Sequence, residues 1–404
     1  MNLIDNLFFL YAKKNTKKES IFKLCSSISR QIIKDLLKLN KKKNKEFNLP
    51  LNANWFVFST FNNYRALKNI KLGIPNSIWI NVSSNYEIPD LENENIFSNF
   101  KNSIRGRKYF SLLFYFIFNN SKIPSYIFLE FHGIIDYYIL LIKKYNPNVI
   151  FISNDHYPSS RGLIIAAFKL GIKCVYIQHA SVSKLFPPIF NSHSFLYGRY
   201  SLDVYSSAGK SSGAIYLVGN HNLDSLESYL SKEKKHTVGI ALNLLDSEEG
   251  TIKVIKFLRQ NFPDLNILLR KHPRDKRSLQ ISNFENIEFS LEPEPLNFLA
   301  QIDVLIAGDS SIHLEAVFSN VISIYYRFNK NSKLKYDYYD FLKNDVVYEA
   351  KNSNTIGEFI SMFYQGKLQS KRNNAKYFEQ SIDSDYEFNV TSKIIEIVKR
   401  DILE

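Results

Sequence analysis

The chain has 404 residues, 45% of them hydrophobic and 23% charged, a folded composition too long for one ordinary core, so two domains are expected. Net charge is +13, and the first 50 residues carry 12 Lys and Arg against 4 Asp and Glu, so the basicity belongs mainly to the N-terminal segment. The two cysteines, Cys25 and Cys174, exclude a disulfide framework and a cysteine metal site, and no RNA- or DNA-binding signature accompanies the charge, which argues against a nucleic-acid partner and for a cytoplasmic setting.

The N-terminus reads as lacking a signal peptide, because the apolar run 7–11 is too short. Within 18–40, Ile21, Leu24, Ile28, Ile32, Leu36 and Leu39 recur three or four apart with Lys and Arg between them, which predicts an amphipathic helix. Such a helix either packs on the first domain or lays a basic face on the anionic inner surface of a membrane. Lys41, Lys42, Lys43 and Lys45 then read as a solvated loop. No stretch is long and apolar enough to span: 109–118 is short, and 127–142 carries Glu130, His132 and Asp136.

Strands are expected at 55–60 and 78–82, with a short helix at 62–70 between them, while 85–125 shows no clear pattern. A helix over 128–145 leads into a strand at 148–153. Then come a helix at 161–170 stopped by Gly171, strands at 174–177 and 195–197, a helix at 202–208 and a strand at 215–218. Residues 221–235 are polar and charged, and read as a linker. The pattern restarts with a strand at 237–242, a helix at 248–261, strands at 267–269 and 287–289, a helix at 296–301, a strand at 304–307, a helix at 313–318 and a strand at 321–325. Helices at 355–363 and 391–403 close it. This alternation predicts an α/β protein of two doubly wound, Rossmann-like domains facing a central cleft, divided as 1–222, 236–390 and a closing helix at 391–404.

In such sheets ligands bind past the carboxyl ends of the strands. Arg270, Lys271, His272 and Pro273 end one strand, and Ser310 and Ser311 follow another and open a helix. Cations, an imidazole, hydroxyls and free helix N–H groups on one edge point to a phosphate site. The serines also fit an ordinary helix cap, which is compatible with that role. Glu315, one turn on, is either a surface carboxylate or a ligand for a ribose hydroxyl. Glu292, Pro293, Glu294 and Pro295 form either a rigid turn or a loop that meets a base. Asp246, followed by Glu249, reads either as a capping box or as a carboxylate at the cleft. In the first half, Asp155 and His156 end one strand, and Gln178 and His179 end the next. Arg161, Lys184 and Arg199 lie close in sequence and suit an anionic sugar. No Asp-x-Asp pair stands at these strand ends, so no metal is expected.

The His272-Pro273 and Ser310-Ser311 pairs resemble motifs of bacterial GT-B transferases that use CMP-activated acidic sugars, polysialyltransferases among them. Asn154-Asp155-His156, the run Tyr176-Ile177-Gln178-His179-Ala180-Ser181-Val182 and Phe186-Pro187-Pro188 look most like the retaining β-Kdo transferases of O-antigen and capsule assembly. The resemblance covers about residues 145–325. It implies a GT-B fold, a CMP-sugar donor without other cofactor, and a glycan or lipid-linked glycan acceptor. In it His272, Pro273, Lys271, Ser310, Ser311 and Glu315 hold the nucleotide. Asp246 acts at the anomeric carbon, Asp155 and His179 assist, and His156, Gln178, Arg161 and Lys184 meet sugar or acceptor. Where the sialyltransferases have an acidic pair followed by Gly, this chain has Asp246-Ser247-Glu248-Glu249-Gly250, which leaves Asp246 and Glu249 in competition. Teichoic-acid-type glycerophosphotransferases using CDP-glycerol share a strand-end His, a His-Pro and an Asp-x-Ser-Ser, here Asp309-Ser310-Ser311 without the spacer. A non-catalytic scaffold of the same architecture is the third alternative.

Overall fold

The computed structural model describes residues 48–82, 88, 94–95, 125–182, 186–229, 236–272, 275–279, 284–292, 294–329 and 335–404. The helix expected at 18–40, the lysine loop after it, Pro273 and Lys184 lie outside the described residues.

The first sheet has seven parallel strands: β1 (Asn54–Phe58), β2 (Ser77–Asn81), β3 (Glu94–Asn95), β4 (Val149–Ile152), β5 (Lys173–Ile177), β6 (Phe190–Leu196) and β7 (Ser212–Leu217). Their spatial order is β3-β2-β1-β4-β5-β6-β7. β1 and β4 are buried along their whole length and, apart from Asn54, apolar, as a strand covered on both faces should be. Helices α1 (Phe61–Leu72), α2 (Ser125–Tyr145), α3 (Pro158–Lys169) and α4 (Arg199–Ala208) connect them.

The second sheet comprises β8 (Thr237–Ala241), β9 (Asn266–Arg270), β10 (Ile287–Phe289), β11 (Val304–Ala307), β12 (Ile322–Tyr326) and β13 (Tyr348–Ala350), in the order β10-β9-β8-β11-β12-β13 and again all parallel. Helices α5 (Glu248–Asn261), α6 (Pro295–Leu299), α7 (Ile312–Phe318) and α8 (Ser353–Tyr364) belong to it. In both sheets the order reverses next to the first strand, between β1 and β4 and between β8 and β11. Those two reversals are where an open parallel sheet leaves a crevice.

Several elements depart from the sequence reading. β6 begins at Phe190 rather than 195, hidden by the polar run Asn191-Ser192-His193-Ser194. A register shift there lets Ser192 Oγ accept from the Cys174 N–H and donate to the Cys174 carbonyl, both at 2.8 Å. The expected linker is ordered in its first part: His221–Tyr229 is a 3-10 helix that buries His221, Leu223 and Leu226. Its polar side chains are employed internally, for Asp224 accepts the Val390 and Thr391 N–H groups at 2.9 and 2.8 Å. β13 and a second 3-10 helix, Arg372–Tyr377, were too short to show as periodic patterns.

Those two N–H groups open α9 (Val390–Ile397), which runs on as one π-helical turn, Val398–Leu403. It returns to the first sheet, where Val390, Ile394, Ile397, Val398 and Ile402 join Phe56, Phe58, Ile70 and Phe151 in one apolar cluster. A further cluster joins Trp55 of β1 and Tyr138 of α2 to Leu314, Phe318 and Tyr325 of the second half, so the halves share core. Ile394 is fully buried, and Ile394→Ala is expected to cost about 2–4 kcal/mol of stability, measured by denaturant unfolding. Among the described residues no helix is long and apolar enough to cross a membrane.

Candidate functional site

At the second crevice, Arg270, Ala241 and Ala307 are paired across β9, β8 and β11 and end level. His272 and Ser310 therefore stand past the same edge, but not on adjacent strands. β8 lies between theirs, two strand spacings separate them, about 10 Å, and the loop after β8 forms the floor.

That floor carries Asp246. Its Oδ2 accepts the Asn243 N–H at 2.7 Å, and the Asn243 side chain in turn accepts from Leu245 and Asp246 N–H. Arg277 braces the loop: it donates to the Asp246 carbonyl, to the Asn243 carbonyl at 2.9 Å and to both oxygens of Asp275. Burial raises the Asp246 carboxyl to about 6, with Asn243 and Arg277 partly offsetting and Asp309 and Asp275 adding to the rise. A Cβ on Gly308 would lie 2.8 Å from Asp246 Oδ1, so glycine there keeps the carboxylate clear of a side chain. The capping-box reading is corrected: Ser247 caps α5, accepting the Gly250 N–H at 2.9 Å. Asp246 stands one residue outside the helix, and Glu249 lies within its first turn.

The loop after β11 is held from beneath. His313 is fully buried, its Nε2–H donates to the Gly308 carbonyl at 2.9 Å, and its Nδ1 accepts from Ser323 Oγ at 2.7 Å. Asp309 accepts the Tyr338 N–H at 3.0 Å. Ser310 Oγ accepts the Ile312 N–H at 3.4 Å, whereas Ser311, in the cap position, makes no side-chain cap bond. Capping thus occupies one serine. Lys271 turns aside: its Nζ donates to the Arg277 carbonyl at 2.7 Å and lies over the Phe289 ring, so it supports the loop instead of facing the crevice.

At the first crevice, Asp155 is fully buried. Its Oδ1 is 3.3 Å from His156 Nδ1, and its Oδ2 has no hydrogen-bond partner. Arg161, Tyr176 and Tyr205 lie within its electrostatic reach. His156 stacks on Phe186, with ring centroids 4.4 Å apart. Burial, with His156 adding, lowers His179 to about 4, which leaves a neutral imidazole at pH 7. Gln178 is structural: its Nε2 donates to the Ala180 carbonyl and its Oε1 accepts the Tyr197 N–H, both at 2.9 Å. Arg161 is nearly fully buried and donates to the Pro188 carbonyl at 3.0 Å, which places it beneath the edge and not out toward an acceptor. Arg199 pairs with Asp203 on the surface of α4.

Sequence reasoning missed the group that lies between the two edges. Arg65, on α1 just past β1, forms an ion pair with Glu294 at the start of α6. Its charge also bears on His179 and His221 on one side and on Arg270 and Glu315 on the other. Glu315 is not a surface carboxylate: burial raises it to about 7 against the pull of Arg65 and Arg270, and its Oε2 has no hydrogen-bond partner. A cavity of about 250 Å³ lies here, lined by Arg65, Asn69, His221, Glu294, Asn297 and Glu315 among others. Among the described residues no group of three or more His, Cys, Asp or Glu is placed to hold a metal ion.

No protein-family model and no curated protein sequence matches this chain. Solved structures do. A putative UDP-N-acetylglucosamine 2-epimerase from Listeria monocytogenes aligns over 87% of this chain and 96% of its own, at 12% identity and TM-score 0.56. MurG of Acinetobacter baumannii aligns over 87% and 100%, at 9% identity and TM-score 0.52. The wall teichoic acid polymerase TagF, soaked with CDPG, aligns over 93% and 98%, at 12% identity and TM-score 0.54. The fold is GT-B. The two crevices described above are the facing walls of the GT-B cleft, and the return of α9 to the first sheet closes the GT-B architecture.

Proposed function

We propose that this chain is a glycosyltransferase that takes a CMP-activated acidic sugar, Kdo or a related nonulosonate, and passes the sugar to a glycan or lipid-linked glycan. The observation that carries the reading is the second crevice. A buried carboxyl group there lies beside a residue without a side chain, between a strand-end histidine and two serine hydroxyls. In this reading His272, Ser310 and Ser311 hold the donor phosphate, by hydrogen bonds that strengthen as charge develops on the leaving group. Asp246, anionic above about pH 6, faces the anomeric carbon. It attacks that carbon, the bond from carbon to the phosphate oxygen breaks, and CMP departs with the electron pair. The acceptor hydroxyl then displaces Asp246, and its proton passes to a base on the first wall. In this reading buried Asp155 and neutral His179 take that role. Retention of configuration follows from the two displacements.

A second reading keeps the cytidine nucleotide and changes the cargo to glycerol phosphate. The alignment with TagF over nearly the whole chain favours it as the alternative. Incubation with CMP-Kdo, CMP-sialic acid and CDP-glycerol, each against an enzyme-free control, separates the two by release of CMP. The expected result is release from a CMP-sugar and none from CDP-glycerol. A mass increment on the protein, absent in Asp246→Asn, is expected for the covalent intermediate. Release from CDP-glycerol alone would reverse the ranking, and no release from any donor would favour a non-catalytic scaffold.

A further inference from the structure

We propose that Arg65 is the residue by which the cleft grips an anionic group of the donor, the sugar carboxylate or the phosphate next to it, and that Glu294 occupies that group's place while the cleft is empty. The inference rests on the donor class proposed above and adds to it a specificity residue and an exchange.

Arg65 and Glu294 come from opposite walls and meet across the cavity, with side chains 34% and 38% exposed. An ion pair this open is held weakly and is readily traded for another anion. Arg65 is the one Arg or Lys among the described residues that line the cavity. A guanidinium fork receives a sugar carboxylate or a phosphate with the same paired geometry it gives Glu294. The remaining wall suits a hydroxyl-bearing ring. Glu315 Oε2 and His221 Nε2 are buried acceptors without partners, and the Ala66 backbone engages the His221 imidazole, which leaves Nε2 as the acceptor. A ligand with an anionic group and neighbouring hydroxyls would satisfy all three.

The test is a double-mutant cycle on the full chain, reading Kd by calorimetry for CMP, CMP-Kdo and CMP-sialic acid. Arg65→Gln is expected to weaken the anion-dependent part of binding about tenfold, with partial recovery in Arg65→Lys. Glu294→Gln is expected to tighten binding several-fold, because the competing carboxylate is gone, and this gain is expected to vanish in the Arg65→Gln background. Coupling seen already with CMP assigns Arg65 to the phosphate; coupling seen only with the CMP-sugars assigns it to the sugar carboxylate. A Glu294→Gln gain that persists without Arg65 is a general charge effect and overturns the proposal, as does a Glu294→Gln loss. If the wild-type chain binds none of these nucleotides, the donor class and the proposal fall together; nucleotide binding that is indifferent to both positions overturns the proposal alone.

Discussion

Asp246→Asn is expected to abolish turnover and, at neutral pH, to make the protein more stable. Removal of a carboxylate that acts on the reacting carbon should lower the rate by about 10²–10⁴ or more. The stability effect has the opposite sign because the carboxyl is raised, from 3.8 to about 6, chiefly by burial. Between those values the native state holds a proton that the unfolded chain has released, so stability falls as pH rises through the window, and the full penalty applies above about pH 6. Asparagine has no charge to desolvate and keeps an oxygen for the Asn243 N–H. A gain of about 1–3 kcal/mol is therefore expected at pH 7.5 and little at pH 4, by denaturant unfolding at both values. The wild-type rate is expected to rise as pH passes through about 6. A variant destabilised equally at both pH values would mean that Asp246 is a structural carboxylate and not a poised one.

Much of the scaffold was legible because local signals agreed with the fold. Helix α5, with Ser247 ahead of it and apolar residues at helical spacing, and strands β10 and β11 match their expected limits. Strand-end positions of Asp155, His179, His272 and Ser310 could be read because a parallel sheet delivers such residues to one edge. Their partners could not. Arg65 lies in the second turn of a helix, and Glu294 is 229 residues away, so only the closure of one half on the other brings them together. Arg277 stands outside any strand end or helical period, although it joins the loops after β8 and β9. His221 sat in a polar stretch that resembled a linker, and its contacts, the Ala66 backbone and the Tyr197 ring, come from distant parts of the chain.

The second large effect concerns nucleotide affinity. A histidine and a serine that each give the phosphate a charge-assisted hydrogen bond contribute about 1.5–3 kcal/mol apiece, so His272→Ala or Ser310→Ala should weaken cytidine nucleotide binding roughly 10- to 150-fold. The fold at this edge rests on His313 and Arg277, so His272→Ala is expected to unfold near the wild-type temperature, and Ser310→Ala, which gives up the bond from the Ile312 N–H, a few degrees below it. The decisive measurement is the thermal shift of the wild-type chain and these two variants with CMP, CDP and UDP. We expect CMP and CDP to raise the midpoint of the wild type by several degrees, UDP to do so less, and the shift to be largely lost in both variants. A full shift retained by His272→Ala and Ser310→Ala, or no shift of the wild type with either cytidine nucleotide, would contradict a phosphate site at the crevice between β8 and β11.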